Sequence, residues 1–284
     1  LEDLQLRYGD RAEEYFRGYQ AFAARMGEFA DEFINQFHAV RLPATTGFIN
    51  RMQTIDLSRL TNEQLVGHSV EVLEHIRTYS YIDFVKAARL CFYYSQRLQD
   101  LLRQRLGMGS NKVQEMYARL NQGLDGSAIT EANIAIAEAP SDEEALRFAL
   151  PLVGHFSEGE MLEIRHKPLR DLPEALEAYV RGIRQTGQYK EQFERQKELR
   201  LAVQQSLLAG LPDKEKQELV GVIKASQTYM ALRETVKYLF TKEYLLLRDA
   251  LESLSTRLAL ENGDIYFLYP RELPQLASTP KLMN

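Results

Sequence analysis

The chain has 284 residues, 45% hydrophobic and 26% charged, with a formal net charge of −5. That balance describes an ordinary folded chain and offers no bulk attraction to nucleic acid. No apolar run of roughly 18 residues is present to span a membrane, and the single cysteine, Cys91, excludes an internal disulfide and suits a reducing, cytoplasmic setting.

The opening residues, LEDLQLRYGD, are charged and lack the apolar centre of a secretory signal. The start at Leu rather than Met suggests a segment of a longer polypeptide. Residues 1–38 predict one or two amphipathic helices, with Tyr15, Phe16, Tyr19, Phe22, Phe29, Phe33 and Phe37 among the apolar positions. The run Arg41-Leu42-Pro43-Ala44-Thr45-Thr46-Gly47 breaks that pattern. Thr61 is placed as a helix N-cap, and Gln64, three residues on, completes a capping box. Helical periodicity then continues to Leu106 and stops at Gly107. Cys91 lies on an apolar face there and reads as a small hydrophobe rather than a nucleophile.

A short helix is expected over 113–120, closed by Gly123. Thr130 is placed to cap a helix starting at Glu131, whose carboxylate favours the positive helix N-terminus. Residues 174–210 read as one charged amphipathic helix, ended by Gly210-Leu211-Pro212. Fifteen tyrosines and no tryptophan are present. Tyr79, Tyr81, Tyr93 and Tyr94 form one group and Tyr229, Tyr238, Tyr244, Tyr266 and Tyr269 another, either packing the core or lining a pocket for a flat, amphipathic ligand.

The rest of the chain is organised around 214–273. Leu219, Ile223, Met230, Val236, Phe240, Leu247, Leu251, Leu254 and Leu258 recur at the spacing of one helical face, and Asn262-Gly263 supplies a stop. On the polar side, Arg233, Lys237, Tyr244 and Arg248 fall within about 60° of one another, forming a basic, tyrosine-bearing stripe. The expected fold is all-α: a bundle of long helices with a few short extended segments, one of them over 265–268. It reads as one helical domain over 1–284, with candidate lobes 1–122 and 123–284.

Several of these stretches resemble one family. Arg233-Glu234-x-x-Lys237, then Arg248, then Gly263-Asp264-Ile265-Tyr266-Phe267-Leu268-x-x-Arg271-Glu272-Leu273 are similar to a hallmark of the phosphoenolpyruvate-synthase-like dikinases, in particular the rifampicin phosphotransferases. The segment Gly123-Leu124 through Thr130-Glu131 to Ala137, and the segment Gly154-His155-Phe156 through Glu158-Gly159-Glu160 to Pro168 and Glu174, resemble two further motifs of that family, with Ala132 where the family has Met and Phe156 where it has Arg. The resemblance implies a middle helical domain that holds the acceptor of a phosphotransferase. ATP and Mg²⁺ would serve the full-length enzyme through an ATP-grasp domain, and a swivelling domain would carry the phosphorylated histidine. It nominates Arg233, Glu234, Lys237, Arg248, Glu131 and His155 as substrate- or phosphoryl-binding residues.

The chain itself has no GxxxxGK[ST] loop, no HExxH, no paired cysteines, no close histidine cluster and no GxSxG elbow. No cofactor or metal is therefore expected in this chain, and the isolated chain is expected to be inactive. Two functions remain: an acceptor-binding domain in which Arg233, Lys237 and Arg248 neutralise a phosphoryl group, or a structural or protein-interaction domain in which those cations pair with Glu234, Glu243 and Glu252 on a solvated face.

Overall fold

The computed structural model describes residues 12–157, 163–185, 188–261 and 263–278. Among them the secondary structure is helical, and no β-ladder forms beyond a single antiparallel bridge between Ser157 and Pro168. No helix among the described residues is long and apolar enough to cross a membrane. The chain divides into two compact units, Leu1–Gly47 and Phe48–Asn284. The division does not fall at residue 122, because helices from both sides of that point pack together in the second unit.

In the first unit, α1 (Ala12–Gln36) runs into a π-helical turn, Phe37–Arg41. Met26, Ala30, Phe33 and Phe37 are buried, at three- and four-residue steps along one face. The side chains of Tyr15, Phe16, Tyr19 and Phe22 lie outside the described residues. The next helix, α2 (Leu42–Gln53), contains the Pro43–Gly47 stretch read from sequence as a break. Proline is tolerated at the first turn of a helix, where its missing N–H has no partner to lose.

The second unit is built on α3 (Asn62–His75), α4 (Tyr81–Leu106) and α10 (Asp213–Arg257). Thr61 caps α3 as expected: its hydroxyl accepts from the Gln64 N–H at 3.2 Å and the Gln64 side chain accepts from the Thr61 N–H at 2.9 Å. A second π-helical turn, Ile76–Ser80, links α3 to α4, and Gly107, at φ 59°, ends α4 in the left-handed conformation that glycine adopts without strain. Then follow α5 (Ser110–Leu120), α6 (Ala128–Ala137) and α7 (Asp142–Val153). Because α6 begins at Ala128, Thr130 sits inside its first turn and Ser127 occupies the N-cap position. The single helix expected over 174–210 is two, α8 (Pro173–Gln185) and α9 (Tyr189–Leu208).

The 45-residue α10 packs chiefly on α4 and α3, and also against α6 and α9. One core joins Leu98, Leu102, Val113 and Leu120 to Leu219 and Ile223. Another gathers Ile136, Ala149, Val153, Leu176 and Val180 of α6, α7 and α8 around Tyr238. The helix ends at Arg257, earlier than the Asn262-Gly263 stop read from sequence. Ala259, at φ 52°, makes the left-handed turn, and the Leu260 N–H donates back to the Ser255 carbonyl at 3.1 Å. Asn262 lies outside the described residues. Gly263, at φ 97°, instead opens a 3₁₀ turn over Asp264–Phe267, so the extended segment expected over 265–268 is helical. With no neighbouring strand to pair with, the turn satisfies its own backbone: the Tyr266 N–H donates to the Gly263 carbonyl. A last short helix, α11 (Leu273–Ser278), packs on α3.

Candidate functional site

The stripe of α10 does not act as one surface. Arg233 is held by its own neighbour: Nη2 and Nε reach Glu234 Oε1 at 2.6 and 3.0 Å. Lys237 stands 3.9 Å from the other oxygen of the same carboxylate. Glu234 thus serves both cations. Arg233 Nη1 also lies 4.0 Å from the sulfur of Cys91, a buried thiol whose pKa is pushed up by that burial. Arg248, more than three turns on, sits in other surroundings. It is buried, donates to the Ile164 carbonyl at 2.6 Å, pairs with Glu252 at 3.2 Å, and lies 5.7 Å from the centre of the Tyr266 ring. The Tyr266 hydroxyl also donates to Glu252, and burial raises the phenol's pKa.

The backbone that Arg248 grips lies in the connection between α7 and α8, whose described parts, 154–157 and 163–171, meet α10 through His155, Ile164 and Arg170. Arg170 N–H donates to the Gly154 carbonyl and Leu169 N–H to that of Phe156, so the two ends of the connection are tied together. Gly154 is needed here: a Cβ would run into the Leu150 carbonyl oxygen and stand 3.2 Å from the Cβ of Arg170. Glu158, Gly159 and Glu160, part of the family-like segment, lie outside the described residues. His155 follows Gly154 and is only 7% exposed. Its ring meets Tyr238 edge to face, with centroids 4.7 Å apart. Burial, and then the charge of Lys242, lower its pKa to about 3, so the imidazole is neutral near pH 7. Its Nε2 is enclosed and has no hydrogen-bond partner among the described residues.

His155 and Arg248 line one small cleft together with Ser157, Glu163, His166 and Tyr244. Glu163, Ile164 and Tyr244 also border an apolar cavity of about 250 Å³ walled by Leu73, Ile76, Leu247, Leu251, Ile265 and Leu273. Arg165 chelates Glu163 with Nε and Nη2, both at 3.0 Å, and holds that carboxyl down at about 2. Burial raises the pKa of the Tyr244 phenol, which stays protonated and able to donate. The geometry is an apolar chamber with a polar rim: a neutral imidazole, two phenols, a guanidinium and an ionised carboxylate.

Of the residues nominated from sequence, His155 and Arg248 come together here. Arg233, Glu234 and Lys237 form a separate group in which one carboxylate serves two cations. Glu131 is exposed in the first turn of α6 and lines neither space. Glu243, read as a surface partner of the stripe, is fully buried instead. It receives His75 Nδ1 at 2.5 Å, and His75 is itself stacked between Phe48, at 3.8 Å, and Tyr79, at 4.7 Å. Lys242 and Asp249, the partner of Arg170, were not singled out from the sequence. Their signal is faint: charged residues inside the otherwise apolar stretch 238–251, which a single amphipathic face does not predict.

No protein-family model matches the chain, and no curated protein matches it.

Proposed function

We propose that the second unit binds a small amphipathic molecule and acts as the acceptor-binding domain of a phosphoenolpyruvate-synthase-like phosphotransferase. The observation that carries this is the apolar cavity shared, through Glu163, Ile164 and Tyr244, with the cleft that holds His155 and Arg248. An acceptor would bury its apolar body against Leu247, Leu251 and Ile265. It would present a hydroxyl at the polar rim, where Tyr244 donates beside the neutral His155 ring and Arg248, already paired with Glu252, has N–H donors left for an arriving phosphoryl group. ATP and Mg²⁺ enter only through the ATP-grasp domain that the resemblance implies; this chain's residues hold and orient the acceptor. Arg233 and Lys237, which share the one carboxylate of Glu234, line neither the cavity nor the cleft and are left out of that role.

A spacer or protein-interaction domain is the second reading, favoured by the Arg233–Glu234–Lys237 group, which pairs within itself and lines neither the cavity nor the cleft. Titration with an anionic aromatic probe, anilinonaphthalene sulfonate, separates the two. The acceptor-binding domain gives saturable binding, amide shifts at Tyr244, Leu247 and Tyr266, and affinity reduced about tenfold in Tyr244→Ala. Absence of saturation, or shifts scattered over the surface, favours the spacer. In the parent polypeptide, Arg248→Ala should abolish acceptor phosphorylation and spare phosphorylation of the swivelling histidine.

A further inference from the structure

A second cleft lies beside the first, around the helix, between α7 and α10. It has a volume of about 430 Å³ and is lined by Leu150, Pro151, Leu245 and His155 and by three charged side chains, Arg170, Asp171 and Lys242. His155 and Leu245 border both clefts; Tyr266, Ile265 and the apolar chamber do not border this one.

The charges in it are unequally satisfied. Arg170 grips Asp249 and stands 3.5 Å from Asp171, so its guanidinium is fixed and largely compensated. Lys242 makes no hydrogen bond or ion pair among the described residues. Its ammonium lies 4.6 Å from the centre of the Tyr238 ring, and its stem is half-buried. An aromatic face supplies only part of what water gives an ammonium ion, and burial accordingly pulls the Lys242 pKa down. His155, neutral at the edge, adds no charge of its own. Leu150, Pro151 and Leu245 supply an apolar wall, and Leu150 is 49% exposed on it.

We propose that this cleft binds an oxyanion, carboxylate or phosphate, carried on a short apolar body, with Lys242 as its counter-charge. A cation is repelled by Lys242, and a neutral apolar molecule leaves Lys242 uncompensated. An amphipathic anion satisfies both features at once: its charge meets an ammonium that no carboxylate balances, and its body covers the exposed Leu150 side chain. Arg170, already oriented by Asp249 and Asp171, has donors left to give the anion a second contact. The site adjoins the acceptor cleft, with which it shares His155 and Leu245, but Lys242 and Leu150 line it and not that cleft, and it does not rest on the phosphotransferase reading.

Calorimetry with phenyl phosphate, benzoate and benzyl alcohol, on the whole chain, tests it. The two anions should saturate and bind at least about tenfold more tightly than the neutral alcohol, and Lys242→Met should remove most of that advantage. Lys237→Met, on the same helix but paired to Glu234, should leave it intact. Amide shifts on binding phenyl phosphate should fall on Leu150, His155, Lys242 and Leu245. Tighter binding of phenyl phosphate than of benzoate identifies phosphate as the natural group, and the reverse order identifies carboxylate. Melting curves confirm that Lys242→Met is folded. Equal affinity in Lys242→Met, no preference for the anions, or shifts confined to Tyr244 and Tyr266 overturns the proposal; the last outcome leaves the acceptor cavity standing.

Discussion

The two halves of α10 follow one amphipathic pattern and meet opposite fates. From Asp213 to Lys237 the helix buries a single face, at Leu219, Ile223, Ser226, Tyr229, Leu232 and Val236. Beyond Lys237 burial spreads around the helix and takes in Thr241, Glu243 and Arg248. The open half keeps its cations in a shared surface pairing with Glu234. The enclosed half holds one cation on a backbone carbonyl and Glu252, one on an aromatic face, and a carboxylate on a histidine. The difference teaches that a charge gains chemical meaning from what covers it. Water screens the open half, so its ion pairs contribute little. In the enclosed half each polar group depends on one or two specific partners, and any spare capacity is available to a ligand.

Removing His75 is the severest test of that contrast. His75→Ala leaves Glu243 fully enclosed with no partner, which should destabilise the chain by about 3–5 kcal/mol in urea unfolding. Glu234→Ala, on the open half, should cost less than about 1 kcal/mol. Equal losses would erase the distinction between the halves.

Acid gives the next largest effect. The His155 pKa is about 3 in the folded chain against an ordinary 6.5, so below pH 6.5 the unfolded chain takes up the proton that the folded chain refuses. Its contribution is therefore complete above pH 6.5 and declines by about 1.4 kcal/mol per pH unit as the pH falls toward 3. His155→Gln should remove that share of the slope between pH 6 and pH 4. An unchanged slope would mean that the imidazole is solvated and not enclosed between the connection and Tyr238.

The smallest effect sharpens the comparison from the other side. Arg233→Ala or Lys237→Ala should change stability by no more than about 0.5 kcal/mol, a shift of a degree or two in melting temperature. A drop of many degrees would show that the open half, too, depends on its charges to hold the fold.

Much of this was legible in the sequence. Helical periodicity, the Thr61–Gln64 capping box and Gly107 as a stop are local devices, written within a few residues of where they act, so the all-α class and most helix positions could be read directly. Boundaries were less secure where two local signals competed: α10 ends at Arg257 and is closed by Ala259, a residue with no turn signature, and Gly263 starts a 3₁₀ turn instead of ending the helix. For the candidate site, the sequence nominated His155 and Arg248 but had no means to separate them from Arg233 and Lys237, which share the same helical side. Tertiary structure alone decided that separation. The covers that make the enclosed half, α3 and the connection between α7 and α8, come from segments about 75 to 170 residues away along the chain, and so does the His75–Glu243 contact, 168 residues apart. Periodicity records which residues point the same way; which of those directions loses water depends on distant segments, and burial is what turns a charged side chain into a partner, a strut or a site.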